Sequence, residues 1–160
     1  VQAYSVTQRL LSLGAVYEVR QEGGNDVIMT AKGKVIAITP SITLVEGSEG
    51  AVVATLKGNF LKTVFTAYDA NNNVLAVIKF PLIPIFMNFT LTIGETVYKV
   101  KRALLSLVFS DGSKEVPANI EISKKVGFKD KFSVVANDSI KKEVAILTAV
   151  TVDQKFFEGK

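Results

Sequence analysis

Cysteine, histidine and tryptophan are all missing from this chain of 160 residues, and each absence removes a class of chemistry. Without Cys or His there is no zinc cage of the usual ligands, no thiolate nucleophile, no Ser-His triad and no c-type haem attachment. Most general acid–base enzymes rely on His. A carboxylate-only metal site, a carboxylate pair or a lysine-based mechanism stays open, and the expectation is a non-enzymatic protein without a cofactor. Long apolar runs are also lacking: none approaches the roughly 20 residues that span a bilayer. Nor does a basic stretch followed by an apolar one mark a secretory signal. The expected location is cytoplasmic, peripheral to a membrane.

What is present is apolar. Hydrophobic residues make up 48% of the chain and charged ones 21%, and the mean hydropathy is +0.31. A disordered chain does not carry so much that must be buried. Residues 1–160 suffice for one domain with a sizeable core. A net charge of +4 permits attraction to anionic lipid or nucleic acid without demanding either. The oligomeric state is not legible.

Turn clusters punctuate most of the chain. Glu22-Gly23-Gly24-Asn25-Asp26, Lys32-Gly33-Lys34, Asp69-Ala70-Asn71-Asn72-Asn73, Gly94-Glu95 and Ser110-Asp111-Gly112-Ser113 separate short β-compatible runs, with Pro40 and Pro81 ending strands because proline cannot donate to a ladder. Strands are expected at 4–13, 15–21, 27–31, 35–39, 42–45, 51–56, 60–68, 74–80, 85–93, 96–102, 104–109, 118–123 and 128–135, about twelve in all, spaced as in barrels and sandwiches. Asp69, Asn71 and Asn73 match the opening of an EF-hand loop. Val74 and Phe80 stand where its glycine and glutamate belong, so a hairpin turn is the better reading.

The end of the chain breaks this pattern. Residues 144–152 read V-A-I-L-T-A-V-T-V, without a charge anywhere on a helical circumference. Branched residues favour a strand. Against that, Asn137-Asp138-Ser139 offers N-cap chemistry, Glu143 suits the positive end of a helix dipole and Lys155 the negative end, so a helix is expected over 140–157. A helix apolar on every side must be surrounded. Nine residues at about 1.5 Å each reach only half of a hydrocarbon core, which leaves the preceding β structure to enclose it.

Val144 through Val152, followed by Asp153-Gln154-Lys155-Phe156-Phe157-Glu158, resembles the C-terminus of phospholipid scramblases: a small-and-aliphatic helix closing on Asp, two variable residues, then Phe-Phe-Glu. The same region is similar to the LURP-one-related proteins, and both belong to a superfamily with the tubby C-terminal domain. The resemblance implies a mainly β fold with one α-helix, a closed antiparallel β-barrel of about twelve strands around a central C-terminal hydrophobic helix. Val144, Ile146, Leu147, Val150, Phe156 and Phe157 would then be its core. Scramblases carry several acidic residues ahead of that helix; here only Asp138 stands there, against the six to eight oxygens that Ca²⁺ takes.

Tubby domains bind phosphoinositide head groups through a basic patch, which directs attention to the lysines. Lys99 and Lys101 share one face of a strand, Arg102 follows, and Lys57, Lys62 and Lys79 are expected on neighbouring strands. Converging, they would engage phosphate oxygens; scattered, they are a solvated exterior. Lys124, Lys125, Lys129 and Lys131 form a second cluster with Phe128 and Phe132, which are read as core phenylalanines, so nucleic acid is not an expected partner. Asp153 is read as a structural carboxylate meeting backbone donors or a lysine. The expected function is a binding module for anionic phospholipid head groups, or for a protein partner, at a membrane surface. A barrel holding a small ligand, as enzyme or carrier, is the second reading, and scramblase-like translocation the third.

Overall fold

The computed structural model describes residues 1–11, 14–35, 37–82, 88–102, 106–114, 118–124 and 130–157. Alternation of apolar and polar residues lets each extended run bury one face. The runs pair as β1 (Gln2–Leu11), β2 (Gly14–Gln21), β3 (Val27–Lys34), β4 (Ser41–Glu46), β5 (Val52–Gly58), β6 (Val64–Asp69), β7 (Val74–Lys79), β8 (Thr90–Ile93), β9 (Thr96–Arg102), β10 (Ser106–Ser110), β11 (Ile120–Lys124) and β12 (Lys131–Ala136). Each strand pairs antiparallel with its sequence neighbours, and β1 closes on β12. The result is a closed twelve-stranded barrel around the helix α1 (Lys142–Val152).

Closure explains why the terminal segment is helical despite its branched residues. A barrel has no free edge to pair with an extended segment inside it, and buried backbone groups must be satisfied. A helix satisfies them internally. Twelve strands enclose a lumen wider than side chains alone fill, and a helix of about 10–12 Å diameter occupies it. Every residue from Val144 to Val152 is buried, against inward side chains such as Tyr17, Leu56, Phe65, Leu107 and Phe132. Thr151, one of two threonines in this stretch, donates its hydroxyl to the Leu147 carbonyl at 2.7 Å.

Odd-numbered strands all run one way and even-numbered strands the other. Since α1 follows β12, it enters where odd strands begin and leaves where they end. These two ends of the barrel are here the entry end and the exit end.

Several local expectations are corrected. Lys32-Gly33-Lys34 is not a turn but the end of β3, and no strand forms over the described part of 35–39. Gly33 has φ +129°, and a Cβ there would collide with the Ser41 carbonyl oxygen, so the glycine serves close approach of β4 and not a hairpin. Strand β6 starts at Val64 because Asn59 Oδ1 accepts from the N–H groups of Thr63 and Val64 at 2.8 and 3.1 Å, folding residues 59–63 into a loop. The helix starts at Lys142, with Lys141 as N-cap and no side-chain cap bond. Asn137 instead accepts from the Ser139 N–H at 2.9 Å, closing a separate turn. Expected strand residues 12–13, 36, 85–87, 104–105 and 128–129 lie outside the described residues.

The Asp69 hairpin is as read. Its Oδ1 accepts from the N–H of Asn71 at 2.8 Å and of Asn73 at 2.9 Å, and Asn72 takes the left-handed conformation at φ 65°.

Candidate functional site

The antiparallel register places the outward lysines in rows. Across the outer wall run Lys34–Ser41–Lys57–Thr66 and, beside it, Val64–Lys79–Thr90–Lys99. Lysines sit on the odd strands β3, β5, β7 and β9, with Ser or Thr on the even strands between them. Alternate strands are about 9–10 Å apart, so ammonium groups are spaced with hydroxyls in the gaps. Lys34, Lys57, Lys79, Lys99, Lys101 and Arg102 are exposed.

Along the barrel axis the charges separate. Lys34, Lys79 and Arg102 are the last residues of their strands, and Lys32, Lys57 and Lys101 stand within two residues of the end; all are therefore on the exit half. Lys99 lies mid-strand. Among the described residues, acidic groups on the exit side are the exposed Asp130 and the buried Asp153. At the entry end the turns and adjoining strand ends carry Glu22, Asp26, Glu46, Glu49, Asp69, Glu95, Asp111 and Asp138, with the Val1 ammonium, Arg20, Lys114, Lys141 and Lys142 as opposing cations. Glu18, on the wall between, pairs with Arg9 and Arg20 at 3.4 and 3.5 Å. The exit end is basic and the entry end acidic.

Under the exit end, α1 continues into a π-helical turn, Asp153–Phe157, whose side chains fasten it to the wall. Asp153 accepts from the Tyr17 hydroxyl at 3.0 Å and pairs with Lys124 at 2.7 Å, so the carboxylate meets a lysine as expected and a phenol besides. Gln154 is buried, its Oε1 accepting from the Val35 N–H at 2.7 Å and its Nε2 donating to the Gly33 carbonyl at 2.9 Å. Lys155 donates to the Lys62 carbonyl at 2.8 Å and lies over the rings of Phe80, at 4.5 Å, and Phe65, at 5.6 Å. Burial first, and the Lys62 ammonium second, pull the Lys155 ammonium below the usual lysine range. The Phe156 ring stacks on Phe89 at 5.2 Å and meets Phe80 at 5.8 Å.

Of the phosphate candidates, Lys57, Lys79, Lys99, Lys101 and Arg102 are on β5, β7 and β9, which alternate and are not adjacent. Lys62 is on no strand; it is in the β5–β6 loop at φ 58°, half-buried. Lys32 and Lys34 are not among the sequence-based candidates because Lys-Gly-Lys matches a turn. A usable signal was there: β3, β5, β7, β9 and β11 all carry a basic residue at or just before their last position. Of the helix residues, Val144, Ile146, Leu147 and Val150 are buried and Phe156 is partly buried, while the Phe157 side chain lies outside the described residues. Phe132 is buried and lies 5.5 Å under the Lys124 ammonium; Lys125, Phe128 and Lys129 lie outside the described residues. No helix among the described residues is long and apolar enough to cross a membrane. Among the described residues, no group of His, Cys, Asp or Glu is placed to hold a metal ion.

No family model matches the chain, and no curated protein matches it either. Among solved structures, the X-ray structure of a protein from Arabidopsis thaliana superposes with a TM-score of 0.63 at 15% identity, over 96% of this chain and 92% of that one. The two share a fold.

Proposed function

We propose that this chain is a non-enzymatic binding module whose basic exit end docks on anionic phospholipid head groups at a membrane surface. The separation of charge along the barrel axis carries this reading. Lys34, Lys57, Lys79 and Lys101 face outward beside Ser41, Thr66 and Thr90, an array of ammonium and hydroxyl donors suited to phosphate oxygens. Each basic residue near an anionic surface contributes about 1 kcal/mol, over a range of about 8 Å at physiological salt. The helix dipole opposes this with roughly half a negative charge at the exit end, small against so many lysines. The C-terminal motif, similar to that of scramblases and LURP-one-related proteins within the tubby superfamily, and the shared barrel point the same way. The buried side chains of α1 occupy the lumen, which supports the exterior as the recognition surface.

Vesicle co-sedimentation tests the reading. Binding is expected with phosphatidylserine or phosphoinositide in phosphatidylcholine vesicles, weak binding with phosphatidylcholine alone, and loss at high salt. Replacing Lys57 and Lys79 by Glu, both exposed, should weaken binding by about tenfold per site. Binding indifferent to salt, to lipid charge and to these substitutions removes the proposal.

A further inference from the structure

Three consecutive loops at the exit end carry large apolar side chains in the open. Ile38, in the β3–β4 connection, is 86% exposed; Phe60 and Leu61, in the β5–β6 loop, are 77% and 62% exposed; Leu82, between β7 and β8, is 70% exposed. The entry end has nothing comparable among the described residues. Its exposed apolar side chains are Val1 and valines of strand ends, such as Val52, Val74 and Val97. Packing does not require Phe60 and Leu61 where they are. Asn59 holds their loop in shape through its main chain and side chain, and Lys155 donates to the Lys62 carbonyl from below. The loop therefore presents a phenylalanine and a leucine to the outside on a firm base.

Each of these tips is flanked by cations: Ile38 by Lys34, Phe60 and Leu61 by Lys57 and Lys62, Leu82 by Lys79. Apolar side chains ringed by lysine match an anionic bilayer, where lysines reach phosphates while the apolar groups enter the acyl boundary. Resting on the head-group reading above, we infer that Ile38, Phe60, Leu61 and Leu82 insert into the bilayer interface. The barrel then stands on the membrane on its exit end, with the helix C-terminus toward the lipid and the acidic entry end facing away. Charge complementarity favours a lipid surface of negative charge as the occupant over a protein.

The absence of tryptophan supplies a clean probe. Phe60→Trp and, as a control at the opposite end, Val74→Trp each introduce a single indole into the full chain. With phosphatidylserine-containing vesicles, Trp emission of F60W should shift to the blue and be quenched by acyl-brominated lipid, while that of V74W should do neither. Separately, Phe60→Ser with Leu61→Ser should lower the partition coefficient by about tenfold or more with unchanged thermal unfolding. Sedimentation of F60W with vesicles but without quenching overturns insertion and leaves head-group docking standing. Equal quenching at both positions overturns the orientation. Failure of the unmodified chain to sediment removes docking and insertion together.

Discussion

Gln154 and Val35 are joined as neighbouring strands are, the carboxamide Oε1 accepting from the Val35 N–H at 2.7 Å while its Nε2 donates to the Gly33 carbonyl at 2.9 Å. A side chain at the end of the helix thus supplies ladder bonds to main chain just where β3 stops, and the plug is tied to its cage. Gln154→Leu leaves the Val35 N–H and the Gly33 carbonyl without this partner, at roughly 1–3 kcal/mol for each group. A lowered urea midpoint, with the slope unchanged, is the expected result. Gln154→Glu should be at least as damaging, since an oxygen then faces the Gly33 carbonyl.

Gly33→Ala should be among the most destabilising alanine substitutions in the chain. The added Cβ strikes the Ser41 carbonyl oxygen, and φ +129° disfavours any side chain. A cost above about 3 kcal/mol is expected from strain and displaced pairing, read by thermal unfolding. Gly47→Ala is the comparison: its φ is also positive, at +55°, but nothing lies within 4 Å of a Cβ there, so it should cost much less.

The Tyr17–Asp153–Lys124 cluster can be dissected. Asp153→Asn keeps an acceptor for the Tyr17 hydroxyl but removes the carboxylate charge from the Lys124 ammonium, at about 3 kcal/mol, the low end for breaking a buried pair, because Lys124 is partly solvated. Tyr17→Phe should cost about 1 kcal/mol. The double variant should cost less than the sum of the two in a chemical-denaturation cycle.

Lys155 makes stability depend on alkaline pH. Its folded value lies below the unfolded one near 10.5, so between the two the unfolded chain binds more protons, and the contribution of Lys155 to stability rises with pH across that window. The difference in unfolding free energy between the unmodified chain and Lys155→Met isolates this group from the other lysines. It should move in favour of the unmodified chain as pH climbs toward 10.5; a flat or falling difference counts against the caged position over Phe80.

Asp69 acts at the other extreme. The N–H of Asn73, then that of Asn71, hold its carboxylate below the usual range. Its contribution is complete above the unfolded carboxylate value and is lost as pH falls through the folded one. Asp69→Asn should therefore lower stability at neutral pH and flatten its acid limb, the two proteins converging as pH falls below the folded value.

The barrel with an internal helix was legible because two periods stand side by side in the chain: alternation between turn clusters up to Ala136, then an apolar stretch with no polar face at all. The phosphate candidates were only partly legible. Lys99 and Lys101 share a face by the two-residue repeat alone, but Lys34 and Lys57 meet in one row only through Ser41, and pairing across strands is set by register and not by sequence distance.

Composition and periodicity determined that this protein is strand-rich, that its C-terminal segment 144–152 must be enclosed, and that its cations outnumber its anions. Tertiary structure alone decided that Lys32-Gly33-Lys34 finishes a strand, that α1 begins at Lys142, and that Lys32, Lys34, Lys57, Lys79, Lys101 and Arg102 share one end of the barrel with Ile38, Phe60, Leu61 and Leu82 among them. The reason is closure. Antiparallel pairing of each strand with the next sets the direction of every strand, and once β1 pairs with β12 residues far apart in the chain become neighbours on one rim.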